Sequence, residues 1–386
     1  MSFSIKKFTS FGLLIAIFFS FFSLLNPTKK TDLVYIWYKA SNFIRYSFKK
    51  VALSRPNPIC YIDDDKLSFK IKNPPQWSIN QISSDIRAYK KFSADDVNTT
   101  FKAFSFGNNV VKIAIENGKV SIVKKEETIL NGASAFGLSL YEAIFSYAVK
   151  KGYVKNVTFL LRFTDFFSKI PSNKITDFSP ILGVAKDISK NIEKNIILIP
   201  DWMNLNSWAK LSPRIKIARK TFPWDKKINK ILWRGGYADV TGFRKKVVEY
   251  TKATNSDFVD AKFTVDEDEN FMHPEHHLSY KFQLSIDGHT APWERPVWQL
   301  YSNCDMVKQK STLIQWYYNA IKPDVHYIEV TDDLDDLTKI NKYSDQQLKE
   351  ISQNAMNFAE DNLSVEDMIA YVILVLQKLE KLQQSA

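Results

Sequence analysis

Two periods of apolar and polar positions run along this chain. Residues 110–115 and 120–123 alternate on a two-residue period around Glu116-Asn117-Gly118-Lys119, which predicts a β-hairpin with an Asn-Gly turn. Residues 135–150 carry apolar side chains at helical spacing, and Gly152 ends the pattern. Short, nearly continuous apolar runs follow at 157–161, 196–199, 231–233, 280–286 and 305–308, and Phe258-Val259 opens another. Runs of that length suit strands buried on both faces of a parallel sheet. Helices are predicted over 244–251, 293–302, 313–321, 346–363 and 365–384. Arg55-Pro56-Asn57-Pro58 and Pro74-Pro75 read as loops. The alternation of strands and helices predicts an α/β fold with two units, residues 55–212 and 213–386.

The amino-terminal stretch has a different character. Residues 8–25 are apolar apart from Thr9, Ser10, Ser20 and Ser23, about the minimum length for a bilayer span. No Ala-x-Ala cleavage signal follows, so the expectation is an uncleaved single-pass anchor within residues 1–54. Lys6 and Lys7 precede it, whereas Lys29, Lys30, Lys39, Arg45, Lys49 and Lys50 follow it. That excess of cations places the rest of the chain on the cytoplasmic side. Residues 33–51 interleave aromatic and basic side chains, as in a helix lying in the membrane interface or one packed on the domain.

Composition narrows the partners. The 386 residues carry a formal charge of +11, which favours nucleotide phosphates, anionic head groups or nucleic acid. No basic-aromatic block of an RNA-binding sheet and no zinc-finger spacing is present, so nucleic acid is excluded. The only two cysteines, Cys60 and Cys304, cannot build a disulfide framework. His273, His276 and His277 lack a helical metal-ligand spacing and surround Pro274, so no metal site is expected there.

The most specific chemistry lies between Tyr280 and Tyr327. One apolar strand ends in Asp287-Gly288, Arg295 follows on a new helix, and the next strand ends in Lys308-Gln309-Lys310-Ser311. Ligands of open α/β sheets sit at the carboxyl ends of strands, and Gly, Arg and Lys there suit an anion. This order resembles glycosyltransferase family 90, which includes protein O-glucosyltransferases, capsule-associated xylosyltransferases and lipopolysaccharide-modifying enzymes. Trp233-Arg234-Gly235-Gly236 resembles the family's aromatic-Arg-Gly block. Asp165 resembles its strand-end Asp, Pro200-Asp201-Trp202 its Pro-Asp-Trp, and His326-Tyr327 with residues 332–337 its carboxyl-terminal signature. The sequence departs from the pattern where Phe167 replaces a Pro and Glu294 is inserted before Arg295.

The resemblance implies a GT-B-like fold, two Rossmann-like domains facing across a cleft, here preceded by the membrane anchor helix. It also implies an inverting, metal-independent glycosyltransferase with no cofactor beyond its UDP-sugar co-substrate. The expected acceptor is a hydroxyl of lipopolysaccharide or a capsule-like polymer, a glycan or lipid-linked glycan. The alternatives are a protein O-glycosyltransferase and an inactive sugar- or lipid-binding scaffold. Disulfides of the secreted members are missing, which agrees with a reducing compartment.

Each candidate residue has a catalytic and an ordinary reading. Asp165 is the expected general base, or else a helix N-cap or a surface Asp paired with Arg162. Arg234, with Gly235 and Gly236 beside it, and Arg295 are the expected diphosphate ligands, or members of structural ion pairs. Lys281, Lys308 and Gln309 are expected on the nucleotide side, or in charged loops and strand edges. Asp287 and Gly288 hold a sugar or ribose hydroxyl, or cap a turn. Residues 63–65, 266–269 and 332–336 are acidic runs that read as loops and helix starts.

Overall fold

The computed structural model describes residues 58–386, apart from 88, 90, 104–108, 126–129, 131, 164–178, 192, 194–195, 238, 255–256, 265–267 and 385–386. Asn57–Ala386 forms one compact unit, distinct from Met1–Pro56. The expected anchor at 8–25 and the interfacial helix at 33–51 lie outside the described residues. Among the described residues no helix is long and apolar enough to cross a membrane. The expectation of a single-pass, cytoplasm-facing membrane protein is therefore corrected: its whole basis was the amino-terminal pattern, and nothing in the described fold supplies a span.

Two five-stranded sheets form the framework. The first has the order β2-β1-β3-β4-β6. It begins with the hairpin β1 (Val110–Glu116) and β2 (Lys119–Val123). Strands β3 (Val157–Arg162), β4 (Ile181–Gly183) and β6 (Ile196–Leu198) then run parallel. Every residue of these three strands is buried, as their continuous apolar runs require. Helices α1 (Asp64–Lys72), α2 (Gln76–Ile86), α3 (Ala94–Ala103) and α4 (Gly132–Lys150) belong to this half. Asp63 starts α1 by accepting the amides of Asp65 and Lys66 at 3.0 Å each.

The second sheet is wholly parallel, in the order β12-β10-β9-β7-β8. Its strands are β7 (Ile228–Gly235), β8 (Val259–Phe263), β9 (Tyr280–Ser285), β10 (Asp305–Gln309) and β12 (Ile328–Val330). The chain passes from β7 outward to β8, then returns across to β9 on the other side of β7. The order therefore reverses between β7 and β9, and a crevice opens at the carboxyl ends of strands that diverge in this way.

Helix α5 (Trp202–Thr221) joins the halves, so the expected boundary at 212/213 falls inside a helix. The helix continues through Pro213 with Leu211, Ile215 and Ala218 buried around it. Helices α6 (Phe243–Thr254), α7 (Pro274–His277), α8 (Arg295–Tyr301) and α9 (Asp345–Asn362) follow. The last helix, α10 (Val365–Gln384), returns to the first sheet. There Gln383 accepts the Thr158 amide at 2.8 Å and Glu380 accepts that of Lys155 at 2.7 Å.

The helix expected over 313–321 does not form. Leu313–Ile314 is a strand, β11, paired antiparallel with β5 (Lys186–Asp187) of the first half. Tyr318–Ala320 is a single 3-10 turn. The apolar spacing there reflects burial of Trp316, Tyr317, Tyr318 and Ile321 between the halves, where strand pairing competes successfully with local helix formation.

Gly137 shows how tightly α4 meets α5. A Cβ at this position would lie 2.7 Å from Trp202 Cγ. Gly137→Ala is expected to lower stability by about 1–3 kcal/mol, the usual cost of overpacking a filled core. Urea unfolding measures it, and an unchanged midpoint would show that the Trp202 ring yields freely.

Candidate active site

A cavity of about 650 Å³ lies at the reversal point of the second sheet. Its floor is Arg234 and Gly235, the last residues of β7. One wall is the segment from Gly288 to Arg295, which follows β9 and starts α8. Another is the stretch Phe271, Met272, Pro274 and His277, and the fourth is Trp202 and Met203 at the start of α5. The site is thus built from strand ends of one half and a helix start of the other.

Gly235 is required at the floor by close packing. A Cβ there would lie 2.6 Å from Trp233 Cζ2 of the same strand. Gly236 presents its carbonyl to Arg244 Nη1 at 3.2 Å.

Three arginines surround this floor. Arg234 is engaged by its neighbour strand: Nη2 meets Asp260 Oδ1 at 2.8 Å and Nη1 meets the Asp260 carbonyl at 2.8 Å. Its own carbonyl accepts Arg295 Nη2 at 2.5 Å. Arg295 Nη1 is buried and has no hydrogen-bond partner among the described residues. Burial, then the positive charge of Arg244, pushes the Arg295 guanidinium down to about 10, with Glu294 opposing. It remains a cation at neutral pH. Arg244, at the start of α6, lies over the Trp233 ring at 5.7 Å and donates to the Ile286 carbonyl at 3.1 Å. The loop before it is shaped by Gly242, whose φ of +73° is a left-handed conformation, and by Asp239, which accepts the Gly242 and Arg244 amides at 2.7 and 2.6 Å.

Behind this wall, Asp287, Lys308 and Gln309 form one buried cluster. Gln309 Oε1 accepts the Asp287 amide at 2.9 Å, and its Nε2 donates to Asp332 Oδ1 at 2.6 Å and Thr241 Oγ1 at 3.2 Å. Lys308 Nζ sits 4.6 Å from the Tyr318 ring and 5.8 Å from that of Tyr327. Burial lowers the Lys308 pKa against the favourable charges of Asp287 and Glu329. Burial pushes Asp287 up to about 6, and Asp332 adds to that, while Ser311, Lys308 and Arg244 oppose.

Other expected residues fall elsewhere. Lys281 is at the opposite, amino end of β9, where it pairs with Asp345 at 3.0 Å and stacks on Trp224 at 5.0 Å. It is not brought together with the cavity residues. Asp165 lies outside the described residues. Arg162, before it, is committed to Glu193 at 3.1 Å and the Ala185 carbonyl at 2.6 Å. Among the acidic runs, Asp63 and Asp333 cap helical segments and Asp336 pairs with Lys339 at 2.8 Å.

Arg244, Trp202, Trp293 and His277 were not singled out as cavity residues by sequence. A signal existed for Arg244, an arginine opening the first helix after Arg234-Gly235-Gly236. His277 was visible only as part of a histidine cluster. The ring contact of Trp202 with Trp293, 4.3 Å and edge-on, joins residues 91 positions apart, which no local pattern encodes.

The sequence comparisons bear directly on this geometry. The model of Glycosyl transferase family 90 matches residues 78–386. The chain belongs to glycosyl transferase family 90. Protein O-glucosyltransferase 2 of Danio rerio is 31% identical over 174 residues, 42% of this chain and 34% of that protein. Protein O-glucosyltransferase 3 of Mus musculus is 32% identical over 111 residues, 28% of this chain and 22% of that protein. Uncharacterized protein 179R of Invertebrate iridescent virus 6 is 30% identical over 117 residues, 28% of this chain and 10% of that protein. The match thus spans about a third or less of these relatives' own length. Within this family 90 member, the cavity at the end of β7 is the candidate site of transfer.

Asp201 caps α5 at the back of this site. It accepts the Asn204 amide at 2.9 Å and Asn204 Nδ2 at 2.6 Å. Burial pushes its carboxyl up to about 6, Glu294 adds to this, and the Asn204 contacts oppose. An acid whose folded pKa exceeds its unfolded value of about 3.9 stabilises the fold fully below pH 4. That contribution is lost as pH rises through 6. Asp201→Asn should therefore flatten the fall in stability between about pH 4 and pH 6 by on the order of 2–3 kcal/mol. Urea midpoints across that window measure it, and parallel curves for the two proteins would show an ordinary Asp201.

Proposed function

We propose that this family 90 protein moves a glucose- or xylose-type sugar from a UDP donor to a hydroxyl acceptor, with inversion at the anomeric carbon. The observation that carries the reading is Arg295: a buried guanidinium in a cavity at the sheet's reversal point, with one arm unpartnered. A planar fork with a free arm suits a diphosphate, which offers two acceptor oxygens at matching spacing. In this reading Arg234 acts through its carbonyl, which fixes Arg295, while Asp260 holds its side chain. Arg244 adds positive field, and the leaving diphosphate needs no metal. Asp287, Lys308 and Gln309 brace the wall against which the nucleotide sits.

The two halves act as the Rossmann-like lobes of a GT-B arrangement. The acceptor enters from the α5 side. Asp165 takes the hydroxyl proton as the oxygen attacks C1 and the bond from C1 to the diphosphate breaks. Phe163, two residues before Asp165 in sequence, packs its ring 5.4 Å from Trp202 in the cavity wall. A glycan such as lipopolysaccharide or a capsule polymer is the first acceptor class. A protein hydroxyl is the second, favoured by the names of the O-glucosyltransferase relatives.

The full chain incubated with a panel of nucleotide sugars, reading released nucleoside diphosphate, tests the donor. UDP-glucose or UDP-xylose should give the fastest release, and none from any sugar nucleotide would overturn transferase activity. Arg295→Lys should lower kcat/KM by about 10²–10³-fold, because a point charge replaces a fork facing developing charge. An unchanged value would make Arg295 structural.

Asp165→Asn should abolish transfer while UDP affinity holds, since a general base contributes about 10²–10⁴-fold to the chemical step. Product mass and titration calorimetry read the two. Wild-type transfer would refute the base assignment.

A further inference from the structure

A guanidinium that binds a diphosphate must be presented at one angle, and Arg295 is held by the carbonyl of Arg234 at a single nitrogen. We propose that His277, as a neutral imidazole carrying its proton on Nε2, is a positioning residue that orients the Arg295 guanidinium by accepting a hydrogen bond from it at Nδ1 as the diphosphate binds. This rests on the donor reading above.

The tautomer follows from the fold. His277 Nε2 lies 3.2 Å from the Met272 carbonyl, and a carbonyl oxygen only accepts, so Nε2 bears the hydrogen. Nδ1 is then a bare lone pair. It is buried and has no hydrogen-bond partner among the described residues, as is true of Arg295 Nη1. One is an acceptor and the other a donor with two hydrogens, one for the imidazole and one for the diphosphate, and both residues belong to the wall of one cavity. The imidazole packs edge-on against Trp298 at 5.2 Å. Trp298 lies one turn after Arg295 on α8, so the ring lies alongside the helix that carries the guanidinium.

Electrostatics keep the acceptor an acceptor. Burial lowers the His277 pKa well below its usual value, Arg295, Arg234 and His276 lower it further, and only the Met272 carbonyl opposes. A buried donor and a buried acceptor without partners each cost about 1–3 kcal/mol, so a small approach that pairs them on ligand binding is favourable.

Nitrogen-15 NMR of histidine-labelled full-length protein reads the tautomer without any turnover. At pH 7 His277 should show a neutral ring protonated on Nε2. An imidazolium, or a proton on Nδ1, overturns the proposal. Calorimetry with UDP reads the positioning. His277→Phe should weaken UDP binding about ten- to a hundredfold, the worth of one hydrogen bond to a charged group. His277→Asn, whose carbonyl can accept, should recover part of that loss. Phe and Asn variants equally weak would leave only a packing role and overturn the proposal, as would wild-type affinity in the Phe variant. Should the Phe variant fail to fold, the tautomer and the Asn variant decide. Absence of UDP affinity in the wild type would instead overturn the donor reading itself, and the ligand of this proposal with it.

Discussion

Arg295 is a cation withdrawn from water with no carboxylate bonded to it, and much of the second half is arranged around that fact. None of the salt bridges among the described residues includes it, although fifteen other lysines and arginines reach an acid within 4 Å. An uncompensated buried charge is costly and persists only where the fold leaves it no alternative. Here the hold is a relay across three strands. Tyr280 donates to Asp260 Oδ2 at 2.8 Å, Asp260 binds the Arg234 guanidinium, and the Arg234 carbonyl binds Arg295. Among the described residues no carboxylate completes the set, and in the donor reading proposed above that charge is the ligand's diphosphate.

The other half contributes shape. Trp202 from the first lobe meets Trp293 from the second edge-on, and Tyr141 and Phe163 close around Trp202. The backbone that carries Trp293 is pinned from both sides. Gln315 donates to its carbonyl at 3.0 Å and Asn204 at 3.4 Å, while Ser207 donates to Glu294 at 3.0 Å. The inserted Glu294 therefore faces α5, and Arg295 still reaches the cavity because α8 begins one residue later. Fixing that loop fixes the first residue of α8, so the seam between the lobes sets where the guanidinium stands.

What was legible in the sequence follows the range of the forces involved. The buried parallel strands could be read because a strand covered on both faces must be apolar throughout, and β3, β6, β7, β9 and β10 lie where the apolar runs fell. The hairpin could be read from Asn117-Gly118, whose φ values of 51° and 77° are those an Asn-Gly turn adopts. The stretch 313–321 was misread because its apolar residues are set by contacts with the first lobe, and spacing alone does not distinguish that from a helix. Arg234 and Arg295 were both named as candidates, but which of them has a free arm depends on Asp260, 26 positions from Arg234 on another strand. Lys281 looked equivalent to Lys308, since sequence shows that a residue borders a strand without showing which end of the sheet the ligand occupies.

Other buried polar atoms of the second half, beyond the cavity lining, also lack partners. Ser285 Oγ, Thr290 Oγ1, Asp287 Oδ2 and the Tyr317 and Tyr318 hydroxyls are all buried without a hydrogen bond among the described residues. A fold selected for stability alone would pair or replace them. They lie instead at and just after the carboxyl end of β9 and in the 3-10 turn at Tyr318, where Lys308 Nζ sits 4.6 Å from the Tyr318 ring. In the donor reading proposed above, such a site keeps donors and acceptors in place before a polyhydroxylated, doubly charged ligand arrives, and it is less stable for doing so. The same desolvation pushes the Asp287 carboxyl up to about 6, with Asp332 adding and Ser311, Lys308 and Arg244 opposing.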